Sequence, residues 1–116
     1  MKITEFAKVA SVKNPHNVDL RKLFESPSTA VVIITLKPGE SLKKHVTPVD
    51  VLFYVLEGTV VAEIGDERQS VGKDSLVESP AMIAHTLHNE SKAVCRVMLV
   101  KMLTTGKVKE AHSRLL

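Results

Sequence analysis

Four consecutive β-branched residues, Val31-Val32-Ile33-Ile34, restrict the fold of this chain more than any other feature. Branching at Cβ limits the side-chain rotamers in a helix, whereas the same side chains pack well on a pleated surface. The segment 30–36 is therefore predicted to be a largely buried β-strand. A turn at Lys37-Pro38-Gly39-Glu40 follows it.

Short apolar segments separated by turn residues continue along most of the chain. Strands are predicted at residues 1–12, 41–47, 51–56, 59–64, 67–71, 75–78, around His85 and at 93–103. Turn signals that recur about every 8–12 residues indicate an antiparallel sandwich or barrel of about nine or ten strands. One short N-terminal helix is predicted over 17–25, where Asn17 or Asp19 supplies an N-cap, and a loose helix is predicted over 107–116.

The composition is that of a globular protein of modest size. A chain of 116 residues with 44% hydrophobic and 25% charged residues fits a single domain, 1–116, with a barrel core over about 30–103. Only 3% of the residues are aromatic, and the net charge of +3 is spread along the chain, so no nucleic-acid partner is expected. Lys101 is counted with the tail lysines as solvated surface, and His16 and His112 are expected to be exposed.

The chain has one cysteine, Cys95, and no stretch resembling a signal peptide or a membrane span. An internal disulfide is impossible, so a cytoplasmic location without membrane association is predicted. Cys95 lies in an apolar segment, where we expect a small buried hydrophobe and not a nucleophile.

His45 and His85 are the main candidates for a functional site. Each lies at the entry of a predicted strand, although 40 positions separate them in the sequence. In an all-β barrel two such imidazoles can meet in the interior. Lys43-Lys44 beside His45 could attract an anionic ligand to the same place.

The motifs around these histidines resemble those of the single-domain cupins. The first cupin motif reads Gly, five residues, His-x-His, three or four residues, Glu, six residues, Gly; Gly39, His45 and Gly58 match it. The second cupin motif reads Gly, five residues, Pro-x-Gly, two residues, His, three residues, Asn. Pro80, His85 and Asn89 match it. The resemblance covers about residues 30–103 and implies a double-stranded β-helix, or jelly-roll, barrel.

The resemblance also implies a divalent metal held by three histidines and one glutamate, but only His45 and His85 are kept. Thr47 stands at the second histidine position and Val51 at the glutamate position. Two imidazoles without a carboxylate imply at most a weakly held ion such as Zn, Ni, Fe or Mn, and otherwise no cofactor.

Other residues near the two histidines could supply the missing metal ligands. Asp50 and His88 could complete it only if a bulge turned them inward, since strand alternation sends both to the opposite face. Asp74 and Met82 stand where the second motif has glycine.

Three functions remain open. The first is a ligand-binding barrel for a small organic molecule, with an anion favoured by the nearby lysines. Its pocket residues are predicted to be His45, Thr47, Val51, Phe53, Met82, His85 and Leu87. The second is a divalent-metal-dependent enzyme of the oxygenase or isomerase type that uses His45 and His85. The third is a non-catalytic homodimeric scaffold that pairs through the apolar segment 30–36.

Overall fold

Antiparallel strands form nearly all of the regular structure. The computed structural model describes residues 1–103. Within that range there are eight strands: β1 (Asp19–Glu25), β2 (Thr29–Leu36), β3 (Asp50–Glu57), β4 (Val60–Ile64), β5 (Glu67–Val71), β6 (Leu76–Ser79), β7 (His85–His88) and β8 (Cys95–Met102). No helix among these residues is long and apolar enough to cross a membrane.

The strands are arranged in two antiparallel sheets. The larger sheet has the order β1-β2-β8-β3-β6, and the smaller has the order β5-β4-β7. Several neighbours in these sheets are distant in sequence, as in a jelly roll, where the chain crosses repeatedly between two sheets. The predicted all-β class and double-stranded β-helix barrel are confirmed.

The core lies between the two sheets and follows strand alternation. On β3, Val51, Phe53 and Val55 are at most 1% exposed, and the residues between them are only half-buried. The smaller sheet contributes Leu87, which is also fully buried. Because alternate residues of a strand point to opposite faces, the inner face of each sheet supplies the core.

The helix predicted over 17–25 is wrong. Residues 19–25 form β1, which pairs with β2 from Asp19↔Thr35 to Glu25↔Ala30. A helix this short is marginal by itself, whereas β1 gains a ladder of hydrogen bonds and packs Leu20 against the core. The only helical turn among the described residues is the 3-10 turn Phe6–Lys8.

Two predicted strands are also absent or reduced. Residues 1–12 form no strand. Instead, the guanidinium groups of Arg21 and Arg96 lie over the Phe6 ring, 4.3 and 4.2 Å from its centroid. The segment 41–47 is reduced to two isolated bridges, Ser41↔His88 and His45↔His85. The predicted helix over 107–116 and His112 lie outside the described residues.

Backbone conformation explains several of the motif positions. Gly39 and Gly58 have φ values of 87° and 77°, and Asp74 and Met82, which replace glycines of the second motif, have φ values of 66° and 67°. All four lie in the left-handed region that favours glycine. At Gly58 an added Cβ would also lie 2.6 Å from the Val94 carbonyl oxygen. The first motif therefore keeps glycine where the turn requires it.

Candidate functional site

The structure brings the two motif histidines into direct contact. The backbone N–H of His45 donates to the carbonyl of His85 at 3.1 Å, and the N–H of His85 donates to the carbonyl of His45 at 2.9 Å. This bridge places the rings edge to face, with centroids 4.5 Å apart. The two Nε2 atoms are 3.2 Å apart.

The surrounding acceptors determine where the protons of the neutral rings lie. Nδ1 of His45 is 2.8 Å from the Lys43 carbonyl oxygen, which can only accept, so this nitrogen carries the proton. His45 Nε2 is then an acceptor, and His85 Nε2–H donates to it. Nδ1 of His85 in turn accepts from the Ser79 hydroxyl at 2.9 Å. The result is one directed chain from Ser79 through both rings to a backbone carbonyl.

His85 is buried and is held in its neutral form. It is 2% exposed, and its ring stands edge to face against Phe53 at 5.3 Å. Desolvation is the main reason that the pKa of His85 falls from 6.5 to about 4, and the charges of His45, Lys101 and His16 act in the same direction. His85 therefore remains uncharged over the physiological pH range.

His16 is a third member of the same group, which we call the histidine cluster (His16, His45 and His85). Its ring centroid is 5.1 Å from that of His45, and its Nδ1 accepts the Lys43 N–H at 2.8 Å. The expectation that His16 is solvent-exposed is wrong, since it is half-buried. Desolvation first, and then the charges of His45, Lys101 and Lys43, lower the pKa of His16.

Lys101 faces the histidine cluster from the larger sheet. On β8 it continues the inward series of the buried residues Cys95, Val97 and Leu99. Its positive charge lowers the pKa of both His16 and His85. Lys101 is half-buried, whereas the sequence predicted a solvated surface residue.

The remaining predicted pocket residues have different environments. Val51, Phe53 and Leu87 are fully buried in the core behind the cluster. Thr47 is half-buried, and its hydroxyl donates to the Val49 carbonyl at 3.0 Å. Met82 lies on the surface with 68% of its area exposed. Phe53 therefore contacts the His85 ring, Val51 and Leu87 belong to the core, and Met82 lies on the surface.

Fold and motifs together are matched by known proteins. A family model described as "Cupin domain" matches residues 32–101. The chain belongs to this family. No curated protein sequence matches it.

Solved structures of several other proteins have the same fold. The TT1209 protein of Thermus thermophilus is 28% identical, with a TM-score of 0.77 over 88% of this chain and 97% of that one. A predicted oxalate decarboxylase from Thermotoga maritima is 14% identical, with a TM-score of 0.80 over 89% and 100% of the two chains. The polyketide cyclase RemF from Streptomyces resistomycificus is 22% identical, with a TM-score of 0.78 over 90% and 80%. The latter two identities support the fold alone.

Cupins often bind a divalent metal, and the donor set of this cupin fits one poorly. Two tetrahedral nitrogen ligands, each about 2.0–2.1 Å from an ion, lie roughly 3.3 Å apart, so the His45–His85 spacing of 3.2 Å suits a shared ion. Val51 offers no ligand atom at the glutamate position. Among residues 1–103 no group of three or more His, Cys, Asp or Glu side chains could hold a metal. The described residues therefore do not make a complete metal site.

Asp50 and His88 do not supply the missing metal ligands. The Asp50 carboxylate accepts the Ala81 N–H at 2.8 Å. His88 Nδ1 is 2.8 Å from the Ser41 hydroxyl, and its Nε2 is 3.5 Å from Glu63. Both side chains thus interact with neighbours away from the histidine cluster, as strand alternation predicts.

Sequence reasoning did not assign three residues to this site: Lys101, Ser79 and His16. Lys101 could have been found, because it lies two residues beyond buried Leu99 on a strand. Ser79 directly precedes the motif residue Pro80, but nothing in the sequence pairs it with His85. His16 reaches the cluster through a loop whose path no local pattern reveals.

Proposed function

We propose that this cupin domain binds a small organic anion beside the histidine cluster. The observation that carries the proposal is the charge of the site. The three imidazoles of the histidine cluster lie together, the charge of Lys101 acts on two of them, and Val51 stands where the family motif has glutamate. A site with cationic and N–H groups but without the carboxylate favours an anion over a cation.

His16 supports the proposal through its tautomer. Because its Nδ1 accepts a backbone N–H, the neutral ring carries its proton on Nε2. The hydrogen bonds found among residues 1–103 do not engage this N–H, so it can donate to a ligand. Together with Lys101 it would give an anion two donors, and the apolar ring of Phe53 lies against His85; a few polar groups among apolar residues are typical of a small-molecule site.

Isothermal calorimetry and thermal shift against a panel of carboxylates and sugar acids test this function. The panel includes oxalate, because one similar structure is named a predicted oxalate decarboxylase. Each acid is paired with its neutral amide, and every measurement is made with a chelator and again with added Zn²⁺, Ni²⁺, Fe²⁺ or Mn²⁺. We expect one or more acids to bind in the chelated sample and their amides to bind weakly. Absence of binding by every acid under chelation would overturn the proposal.

A metal-dependent activity of the oxygenase or isomerase type is the second candidate. It is favoured by the 3.2 Å spacing of the two Nε2 atoms, which suits two ligands of one ion. It is opposed by the missing carboxylate and by the positive charge of Lys101. Elemental analysis of protein reconstituted with each metal distinguishes anion binding from a metal-dependent activity. A ligand-binding barrel without metal chemistry should retain far less than one equivalent of metal after dialysis.

A homodimer in the cytoplasm remains our proposal for the assembly. The surface first suggested for pairing needs revision, since β2 lies between β1 and β8 and is not an edge strand. The edge strands of the larger sheet are β1 and β6, which expose Phe24 and Leu76. Light scattering at micromolar concentration tests the dimer, and a monomer mass would exclude it.

A further inference from the structure

The position of Lys101 is unusual for a lysine. It pairs with Val51 on β3 and with Ala30 on β2, both of which are buried. It therefore occupies the inner face of the central strand of the larger sheet, between two apolar neighbours. Lys101 is half-buried, so its side chain loses part of its hydration, and an anionic partner would offset that loss.

The described part of the chain supplies no anionic partner for this charge. The ion pairs among residues 1–103 do not include Lys101. Its charge lowers the pKa of His16 and His85, because it repels their protonated forms. Its charge is therefore available to a bound anion.

We propose that Lys101 anchors the ligand by its carboxylate group, so that the barrel is specific for small organic carboxylates. This inference rests on the function proposed above and names its ligand class and its main contact. One ammonium and one imidazole N–H suit the two oxygens of a carboxylate. Phosphate sites in proteins typically use helix N-termini or arginine forks. Among residues 1–103 the only helix is one 3-10 turn, and Arg21 and Arg96 contact Phe6 instead of the cluster.

Binding measurements on Lys101 variants test the inference. Lys101→Met keeps roughly the length of the side chain and removes its charge, while Lys101→Arg keeps the charge. Lys44→Met is the matched control, since Lys44 is exposed and lies next to His45 in the sequence. The probes are acetate, oxalate, benzoate, their amides and inorganic phosphate, all with chelator present.

We expect Lys101→Met to weaken carboxylate binding about 10-fold to 100-fold, as the loss of a charge-assisted hydrogen bond implies. Lys44→Met should change it less than about 3-fold, in keeping with a screened surface charge. Amide binding should not depend on position 101. Lys101→Arg should retain part of the affinity.

Each possible result separates the two proposals. Carboxylate binding that is equal in wild type and Lys101→Met overturns the anchoring role and leaves the anion-binding function intact. Absence of binding to wild type overturns both. Phosphate binding that is tighter than that of every carboxylate and depends on Lys101 overturns the ligand class alone. If Lys101→Met does not fold, the lysines of the wild-type protein can be ¹³C-dimethylated and titrated with the carboxylate probes by NMR. The Lys101 signal should then shift most. A Lys101 signal that does not move contradicts the inference.

Discussion

His45 and His85 are joined by a hydrogen bond between Nε2 atoms 3.2 Å apart, although 40 residues separate them in the chain. In the arrangement with both rings neutral, His85 Nε2–H donates to His45 Nε2. Burial of His85 lowers its pKa and keeps that ring neutral. Desolvation thus favours the neutral form of His85 within the pair.

Stability should therefore depend on pH through His85. Its pKa falls from 6.5 to about 4 in the folded protein, so the unfolded state binds the extra proton first as the pH decreases. The stabilisation is complete above pH 6.5 and is lost as the pH falls towards 4. It amounts to at most about 3 kcal/mol, because solvent near the site screens part of the effect. Urea unfolding at several pH values measures it.

A matched pair of variants isolates this contribution. In His85→Gln the decline between pH 6.5 and 4 should be shallower than in wild type. Thr86→Val, which alters the next residue of β7 and removes no titratable group, should keep the wild-type slope. Equal slopes in wild type and His85→Gln would contradict the assignment.

Lysine variants should change the histidine titrations in a position-specific way. Lys101 lowers the pKa of both His16 and His85, whereas Lys43 lowers that of His16 without contributing at His85. Lys101→Met should raise both pKa values, and Lys43→Met should raise only that of His16. Histidine Hε1 signals followed by NMR against pH measure each ring separately, without any ligand. A His85 pKa unaffected by Lys101→Met would place the ammonium group away from the ring.

Much of the architecture follows from local sequence, because turn residues and strand alternation act over a few positions. The β-branched segment 30–36 lies within β2, and the motif glycines mark turns with positive φ. The helix predicted over 17–25 failed for a non-local reason. Leu20, Leu23 and Phe24 have helical spacing, yet pairing with β2 decides the conformation.

The candidate site was only partly predictable, because its residues come from segments that are distant in the sequence. The cupin motifs locate His45 and His85 in the chain, but their contact depends on a bridge between distant segments. Lys101 reaches the site through the register of β8 against β2 and β3, which no single segment encodes. His16 arrives by a loop that Asn14 shapes by accepting the N–H of His16 at 3.1 Å.

Asn89 should contribute to stability rather than to ligand binding. This fully buried amide donates to the carbonyls of Leu36 and Ala93, both at 2.8 Å, and accepts from the N–H and hydroxyl of Ser91. Asn89→Ala would leave two carbonyls without these donors and should cost about 3 kcal/mol. Ser91→Ala keeps both carbonyl bonds and should cost about 1 kcal/mol or less. Chemical denaturation compares them, and equal losses would assign the stabilisation to the Ser91 bonds.

Two motif glycines should differ in their tolerance of a methyl group. Both have positive φ, so alanine at either one incurs backbone strain of about 1 kcal/mol. At Gly39 an added Cβ meets no atom within 4 Å, whereas at Gly58 it meets the Val94 carbonyl oxygen at 2.6 Å and the Cys95 Cβ at 3.0 Å. Gly58→Ala should therefore cost about 3 kcal/mol, since overpacking adds to the strain, and Gly39→Ala about 1 kcal/mol. Urea unfolding of both variants measures the difference, and equal losses would show that the contact at Gly58 relaxes freely.

The exposed turn residue Met82 offers the opposite test, a substitution towards the family motif that should stabilise the fold. Its φ of 67° is unfavourable for a side chain with a Cβ, and with 68% of its area exposed it has little packing to lose. Met82→Gly should raise the free energy of unfolding by about 0.5–1 kcal/mol, because relief of strain outweighs the entropy that glycine adds to the unfolded chain. Met82→Ala removes the same side chain without relieving the strain and should give no gain. Thermal or urea unfolding of the two variants separates backbone conformation from side-chain contacts, and an equal gain in both would show that the methionine side chain, not its φ, is the unfavourable feature.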